Sequence, residues 1–178
     1  LRNDGTGGFA PPMSVALEKA GLALAILDVD RDGILDIATA NPSSGSLSVL
    51  RNAGGATFEP PEHYLVGPAL TFVGNWDLDG DGDAELVSAS EVSNGIWVLT
   101  GRADGTMAAA RNLDTGGMAF RAAAGDLDGD GRLDLIAANG NSDSVSVLSN
   151  ASREPASADC GQNGIPDECD PPGTNPDD

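Results

Sequence analysis

Cations are scarce in this sequence: nine Lys+Arg stand against 28 Asp+Glu among 178 residues, a formal charge of −19. A surface this acidic repels phosphate, which argues against nucleic acid as a partner. Long apolar runs are missing too. The longest, Leu22–Leu27, falls far short of the ~20 residues that span a bilayer as a helix. No basic stretch followed by an apolar one opens the chain, so no signal peptide is read there. The first residues are Leu-Arg-Asn without an initiator methionine, read as a mature product or a piece of something longer. His63 is the sole histidine, and no serine sits in a nucleophile elbow, so neither a Ser-His-Asp centre nor a metal-His centre is supported. No enzymatic activity is expected. Disorder throughout is not expected either, because 40% of the residues are hydrophobic and can bury a core.

What is present is a repeat. Asp28, Asp77 and Asp126 each open an acidic segment, and they stand 49 residues apart both times. The same offset links Leu50, Leu99 and Leu148, then Ile37, Leu86 and Leu135, and then Val49, Val98 and Val147. Nothing is inserted or deleted across three copies. Each copy holds short apolar or alternating segments bounded by Gly, Asn, Ser and Pro, which read as strands. In the first copy these are Ala23–Val29, Ile34–Ala40, Ser46–Arg51 and a looser Thr57–Val66. Four strands in a period near 50 mark a β-propeller blade, so the expected fold is all-β. Residues 1–20 read as the end of strand three plus strand four of a preceding blade. Three copies fall short of the ~4–8 blades of a closed propeller. The missing blades are therefore expected from a longer chain or from self-association.

The acidic segments read Asp28-Val-Asp-Arg-Asp-Gly-Ile-Leu-Asp36, Asp77-Leu-Asp-Gly-Asp-Gly-Asp-Ala-Glu85 and Asp126-Leu-Asp-Gly-Asp-Gly-Arg-Leu-Asp134. Carboxylates stand at positions 1, 3, 5 and 9, and these take twelve of the 28 acidic residues. Crowded carboxylates repel unless a cation sits among them. Oxygen ligands in a flexible loop suit Ca²⁺. The expected ligands are Asp28, Asp30, Asp32 and Asp36; Asp77, Asp79, Asp81 and Glu85; and Asp126, Asp128, Asp130 and Asp134. Gly33, Gly82 and Gly131 permit the turn that brings the carbonyls of Ile34, Asp83 and Arg132 inward. EF-hands are excluded, because position 12 holds Thr39, Ser88 or Ala137 rather than a bidentate Glu, and strands flank the loop.

Segments such as Ala124-Gly-Asp-Leu-Asp-Gly-Asp-Gly-Arg-Leu-Asp-Leu-Ile-Ala-Ala-Asn139 and Ser48-Val-Leu-Arg-Asn-Ala-Gly-Gly-Ala-Thr-Phe58 resemble FG-GAP repeats of the VCBS-like kind. These are relatives of the integrin α-subunit propeller blades. The resemblance covers roughly residues 1–150. It implies a propeller with Ca²⁺ in the hairpin between strands one and two of a blade, held by the same acids. Two departures stand out: Glu85 replaces the usual Asp, and the small-Gly pair Ala124-Gly125 becomes Asn75-Trp76 and Ile26-Leu27 in the other copies.

Beyond Asn150 the composition turns to Ala, Ser, Pro and acids, so 151–158 reads as a linker and 159–178 as an acidic tail. Within the tail, Asp159, Asn163, Asp167 and Asp170 take positions 1, 5, 9 and 12 of a calcium loop, with the Ile165 carbonyl at position 7. Gly161 leaves position 3 empty, so this fourth site is expected to be weaker. The segment is similar to thrombospondin type 3 and dockerin-like calcium loops. Cys160 and Cys169 both lie inside it, either bridged, which suits an oxidising extracellular setting, or as two free thiols. Asn150-Ala-Ser152 is a glycosylation sequon.

Trp97 and Trp76 both belong to the second copy and are candidate ligand contacts, with packing between blades as the alternative. The expected function is a calcium-binding extracellular or secreted propeller module for adhesion, binding a protein or a cell-surface glycan. The alternative is an accessory or carbohydrate-binding domain of a secreted polysaccharide-degrading or lectin-like protein.

Overall fold

The structure, a computed structural model, describes residues 5, 7–8, 11–17 and 20–150. Among these residues every regular element is a strand. The first sheet runs β1 (Ala23–Leu27), β2 (Asp36–Asn41), β3 (Ser46–Leu50) and β4 (Glu62–Leu65) in order. The second runs β5 (Leu70–Trp76), β6 (Glu85–Ser90), β7 (Ile96–Leu99) and β8 (Arg111–Leu113). The third holds β9 (Ala119–Gly125), β10 (Asp134–Asn139) and β11 (Ser144–Leu148), three strands among the described residues. Every pairing is antiparallel, so each sheet is a meander.

Register places the acidic segments. Leu27 pairs with Asp36, Trp76 with Glu85 and Gly125 with Asp134, so each segment is the loop of the first hairpin in its sheet. The turn needs a left-handed backbone at position 6, and Gly33, Gly82 and Gly131 supply φ of 82°, 88° and 86°. That conformation is costly for any residue with a Cβ.

The sheets stack as consecutive blades: β1 and β2 lie against β5, and β5 and β6 against β9. Two cores fill the spaces between them. In the first, Ala38, Ala40, Leu47 and Val49 meet Leu70, Val73, Leu86 and Leu99, with Met107 inserted. In the second, Val87, Ala89, Ile96 and Val98 meet Ala119, Leu135 and Ala137. The middle sheet is therefore covered on both faces, which is why all six residues of β6 are buried. Such strands lose strict alternation.

The expected strands are present, with one contraction and one correction. The loose Thr57–Val66 shortens to β4, and Phe58 makes only a single bridge to Asn52. Residues 11–17, expected to contribute a fourth strand of a preceding blade, form neither strand nor helix. A fourth strand draws its hydrogen bonds from the third strand of its own sheet, as β4 does from β3, and the described residues before β1 offer none.

Polar groups tie the blades internally. Buried Asn41 donates to Ser46 Oγ at 3.3 Å and Ser48 Oγ at 2.7 Å, and Ser48 Oγ meets His63 Nδ1 at 2.8 Å. Ninety-eight residues on, Asn139 donates to Ser144 Oγ at 3.2 Å and Ser146 Oγ at 2.7 Å. The middle copy has no such asparagine. There Ser90 stands in its place and donates to the Pro68 carbonyl at 2.6 Å, while Trp97, at the position of Ser48 and Ser146, donates to Ser93 Oγ at 3.4 Å and packs on the first core. Its ring lies over Gly67, where an added Cβ would stand 2.6 Å from Trp97 Cε2. Gly67→Ala is therefore expected to cost ~1–3 kcal/mol, the usual penalty for overpacking, as read by urea unfolding.

A second tie crosses between blades. Arg51 Nη1 donates to Glu62 Oε1 at 2.7 Å, Arg51 Nη2 donates to the Gly105 carbonyl at 2.9 Å, and Tyr64 donates to Glu62 Oε2 at 2.6 Å. The Tyr64 hydroxyl first, and then Arg51, holds the Glu62 carboxyl below its usual range. Stability from Glu62 is thus present above the unfolded carboxylate pKa and lost as pH falls through the lower folded value. Glu62 is 43% exposed, so solvent screens the pair. Arg51→Met is expected to cost only ~1 kcal/mol at neutral pH, in the range of one hydrogen bond. It should also flatten the acid limb of a stability–pH profile.

Candidate calcium loops

In all three hairpin loops the position-1 carboxylate caps the turn with both oxygens, taking the amide of position 6 in each, with that of position 5 in the first loop and of position 4 in the other two. Asp28 accepts from Asp32 N at 3.1 Å and Gly33 N at 2.9 Å. Asp77 accepts from Gly80 N and Gly82 N, and Asp126 from Gly129 N and Gly131 N. Position 3 accepts from the amide of position 5, and position 5 from the amide of position 7. These short-range bonds follow from Asp placed two residues before a free amide.

Position 9 does something different. Asp36, Glu85 and Asp134 are buried, and both oxygens of each accept backbone amides. One bond returns to position 2: Val29 N to Asp36 at 2.9 Å, Leu78 N to Glu85 at 2.7 Å and Leu127 N to Asp134 at 3.0 Å. The other comes from 16 residues on: Asn52 N at 2.7 Å, Gly101 N at 3.3 Å and Asn150 N at 2.8 Å. Each position-9 acid therefore joins its loop to the chain just after the third strand. Asn52 and Asn150 add side-chain bonds to the Leu35 and Leu133 carbonyls, and Asn150 also reaches Leu78 O at 2.6 Å. The sequon asparagine has its amide nitrogen committed to these carbonyls.

Carboxylate oxygens converge in each loop to within 4.8 Å of one another: Asp28, Asp30 and Asp32; Asp77, Asp79 and Glu85; Asp126, Asp128 and Asp134. Asp36, Asp81 and Asp130 stand outside these groups. The donors are hard anionic oxygens, without imidazole or thiolate, which fits a hard divalent cation. Burial pushes the Glu85 carboxyl up, and the charges of Asp79 and Asp81 push it further, against the pull of the Leu78 and Gly101 amides. Asp134 is held low by the amides of Asn150 and Leu127. The side chain of Asp83 is taken up elsewhere: Arg31 of the first loop pairs with it at 2.6 Å and donates to the Asp81 carbonyl at 2.8 Å.

Trp76 stacks on Phe72 with centroids 6.3 Å apart and packs on the second core, as Trp97 does on the first. The tail loop, with Asp159, Asn163, Ile165, Asp167, Asp170, Cys160 and Cys169, lies outside the described residues. Sequence reasoning missed the roles of Asn52, Gly101 and Asn150. The only signal for them is their 49-residue spacing.

Comparison with protein families follows the same pattern. Residues 20–57 match the FG-GAP repeat family and residues 77–137 the FG-GAP-like repeat family. The chain carries FG-GAP repeats. The first stretch holds one acidic hairpin loop with β1 and β2 on either side; the second begins at Asp77, just after β5, and holds the other two loops. Curated proteins return no match. Among solved structures, an Agrocybe aegerita lectin described as recognising non-reducing terminal N-acetylglucosamine is similar at 26% identity and a TM-score of 0.57. The match covers 84% of this chain and 45% of the lectin, so the FG-GAP blades described here span just under half of that protein. The architecture is that of β-propeller blades, and no closed ring is present among the described residues. Among the same residues no helix is long and apolar enough to cross a membrane.

Proposed function

We propose that these blades form a calcium-dependent, non-enzymatic binding module of the extracellular space, with glycan as its ligand class. The observation that carries the reading is a cluster of three carboxylates in each of three hairpin loops, from positions 1, 3 and 5 in the first loop and from positions 1, 3 and 9 in the other two. A Ca²⁺ ion in each loop neutralises the crowded acids and fixes the first hairpin of the blade. Asp28, Asp30 and Asp32 in the first loop, Asp77, Asp79 and Glu85 in the second and Asp126, Asp128 and Asp134 in the third are the acids that hold it, and the carbonyls of Ile34, Asp83 and Arg132 complete the shell.

Glycan is preferred over protein because of the lectin similarity, joined to a cleft between the second and third blades. That cleft, of about 290 Å³, opens beside the second loop and is lined by Asp79, Glu85, Thr100, Arg111, Leu113 and Asn150. A few polar groups over an apolar floor suit a sugar ring with its hydroxyls. The test is retention on immobilised N-acetylglucosamine in Ca²⁺ and in EDTA. Retention lost in EDTA and in Arg111→Ala is the expected result. Trp97→Ala should lower stability and leave retention unchanged, because its ring packs on Gly67. Passage straight through columns bearing N-acetylglucosamine and other common sugars would turn the reading to a protein ligand.

A further inference from the structure

The interface between successive blades occurs twice inside the chain, and its two halves recur, uncovered, at the two ends. In the first sheet, Leu47 and Val49 are 0% and 1% exposed beneath the second sheet. Forty-nine residues on, Ile96 and Val98 are 0% and 6% exposed beneath the third. A further 49 on, the same positions are Val145 and Val147, which are 65% and 57% exposed. The covering half shows the complementary pattern. Val73 of β5 is 3% exposed against the first sheet, whereas its counterpart Leu24 of β1 is 66% exposed and neighbouring Ile26 is 56% exposed. Large apolar side chains so placed are normally covered.

We propose that a second copy of this chain covers both ends, the last sheet of each copy packing on the first sheet of the other to close a ring of six blades. The two internal interfaces show what seats on a face of this kind: the β1-type face of the following blade. Each chain carries one unused example of either half, so a single pairing rule satisfies two copies reciprocally. Scale agrees, since the three blades account for 45% of the similar lectin and two copies come to about its length. A head-to-tail contact of this type closes only if its rotation per blade fits the ring, and otherwise propagates as a filament.

The experiment is light scattering on the full 178-residue chain in Ca²⁺ and moderate salt, which screens the acidic surfaces. The expected mass is twice the 17.9 kDa of one chain. Val147→Asp and Leu24→Asp should each run as one chain, with melting curves that report an intact fold. Mixing the two variants restores one undamaged interface and should return the doubled mass. That result separates head-to-tail pairing from a contact between identical faces. A wild-type chain that stays at 17.9 kDa overturns the proposal and leaves the end faces to further blades of a longer chain. So does a mixture that stays monomeric, a dimer indifferent to both substitutions, or a ladder of larger masses.

Discussion

In excess EDTA the chain is expected to melt tens of degrees below its Tm in millimolar Ca²⁺, or to show no cooperative transition. A ligand that binds only the folded state stabilises it by RT ln(1 + [L]/Kd), ~4 kcal/mol per site at a thousand times Kd. Three loops each bring three carboxylates together, so three sites contribute. For a chain of this size each kcal/mol moves Tm by ~2–4 °C. Without the cation, each loop must hold three carboxylate oxygens within 4.8 Å of one another, and repulsion among them works against the hairpin. Calorimetry in both buffers decides the matter. Superimposable melts would reduce the loops to acidic turns held by their own hydrogen bonds.

The second large effect separates two kinds of acid within one loop. Asp36→Ala is expected to destabilise by ~3–5 kcal/mol in Ca²⁺ and in EDTA alike, since a buried amide left without its acceptor costs ~1–3 kcal/mol. Asp36 is 1% exposed, and its removal strips acceptors from both Val29 N and Asn52 N. Asp30→Ala should behave otherwise. Asp30 accepts a single amide, from Asp32, at 3.3 Å. Its loss should cost little in EDTA and remove most of the Ca²⁺ stabilisation contributed by the first loop. Denaturant titrations of both variants in both buffers give the four numbers required. An Asp36→Ala penalty confined to Ca²⁺ would mean that position 9 acts chiefly on the ion.

Much of this was legible beforehand because a repeat without insertions writes its structure three times. The 49-residue spacing located the blades, and the Asp-x-Asp-x-Asp-Gly pattern located the hairpin loops. The division of labour inside the loop was not legible. A carboxylate at position 9 looks the same in sequence whether it faces an ion or two amides, and the partner amide lies 16 residues away across two strands. The tryptophans were ambiguous for a related reason: whether a ring faces a ligand or the next blade depends on which residue sits opposite. For Trp97 that residue is Gly67, at the far end of the preceding blade. The uncertain fourth strand reflects its place at the rim, where β8 needs only three residues to pair.

The ion pair between Arg31 and Asp83 bears on how freely such blades can be rearranged. Asp83 is the one acid at position 7, where the sister loops carry Ile34 and Arg132. It is 7% exposed, and the cation beside it comes from the preceding blade. The second repeat thus differs from its siblings at position 7, and the first carries the arginine that meets it. A chimera that moved the second repeat behind any neighbour lacking an arginine at position 4 would carry a buried, uncompensated charge. The array reads as three interchangeable modules, but this pair fixes the order of the first two.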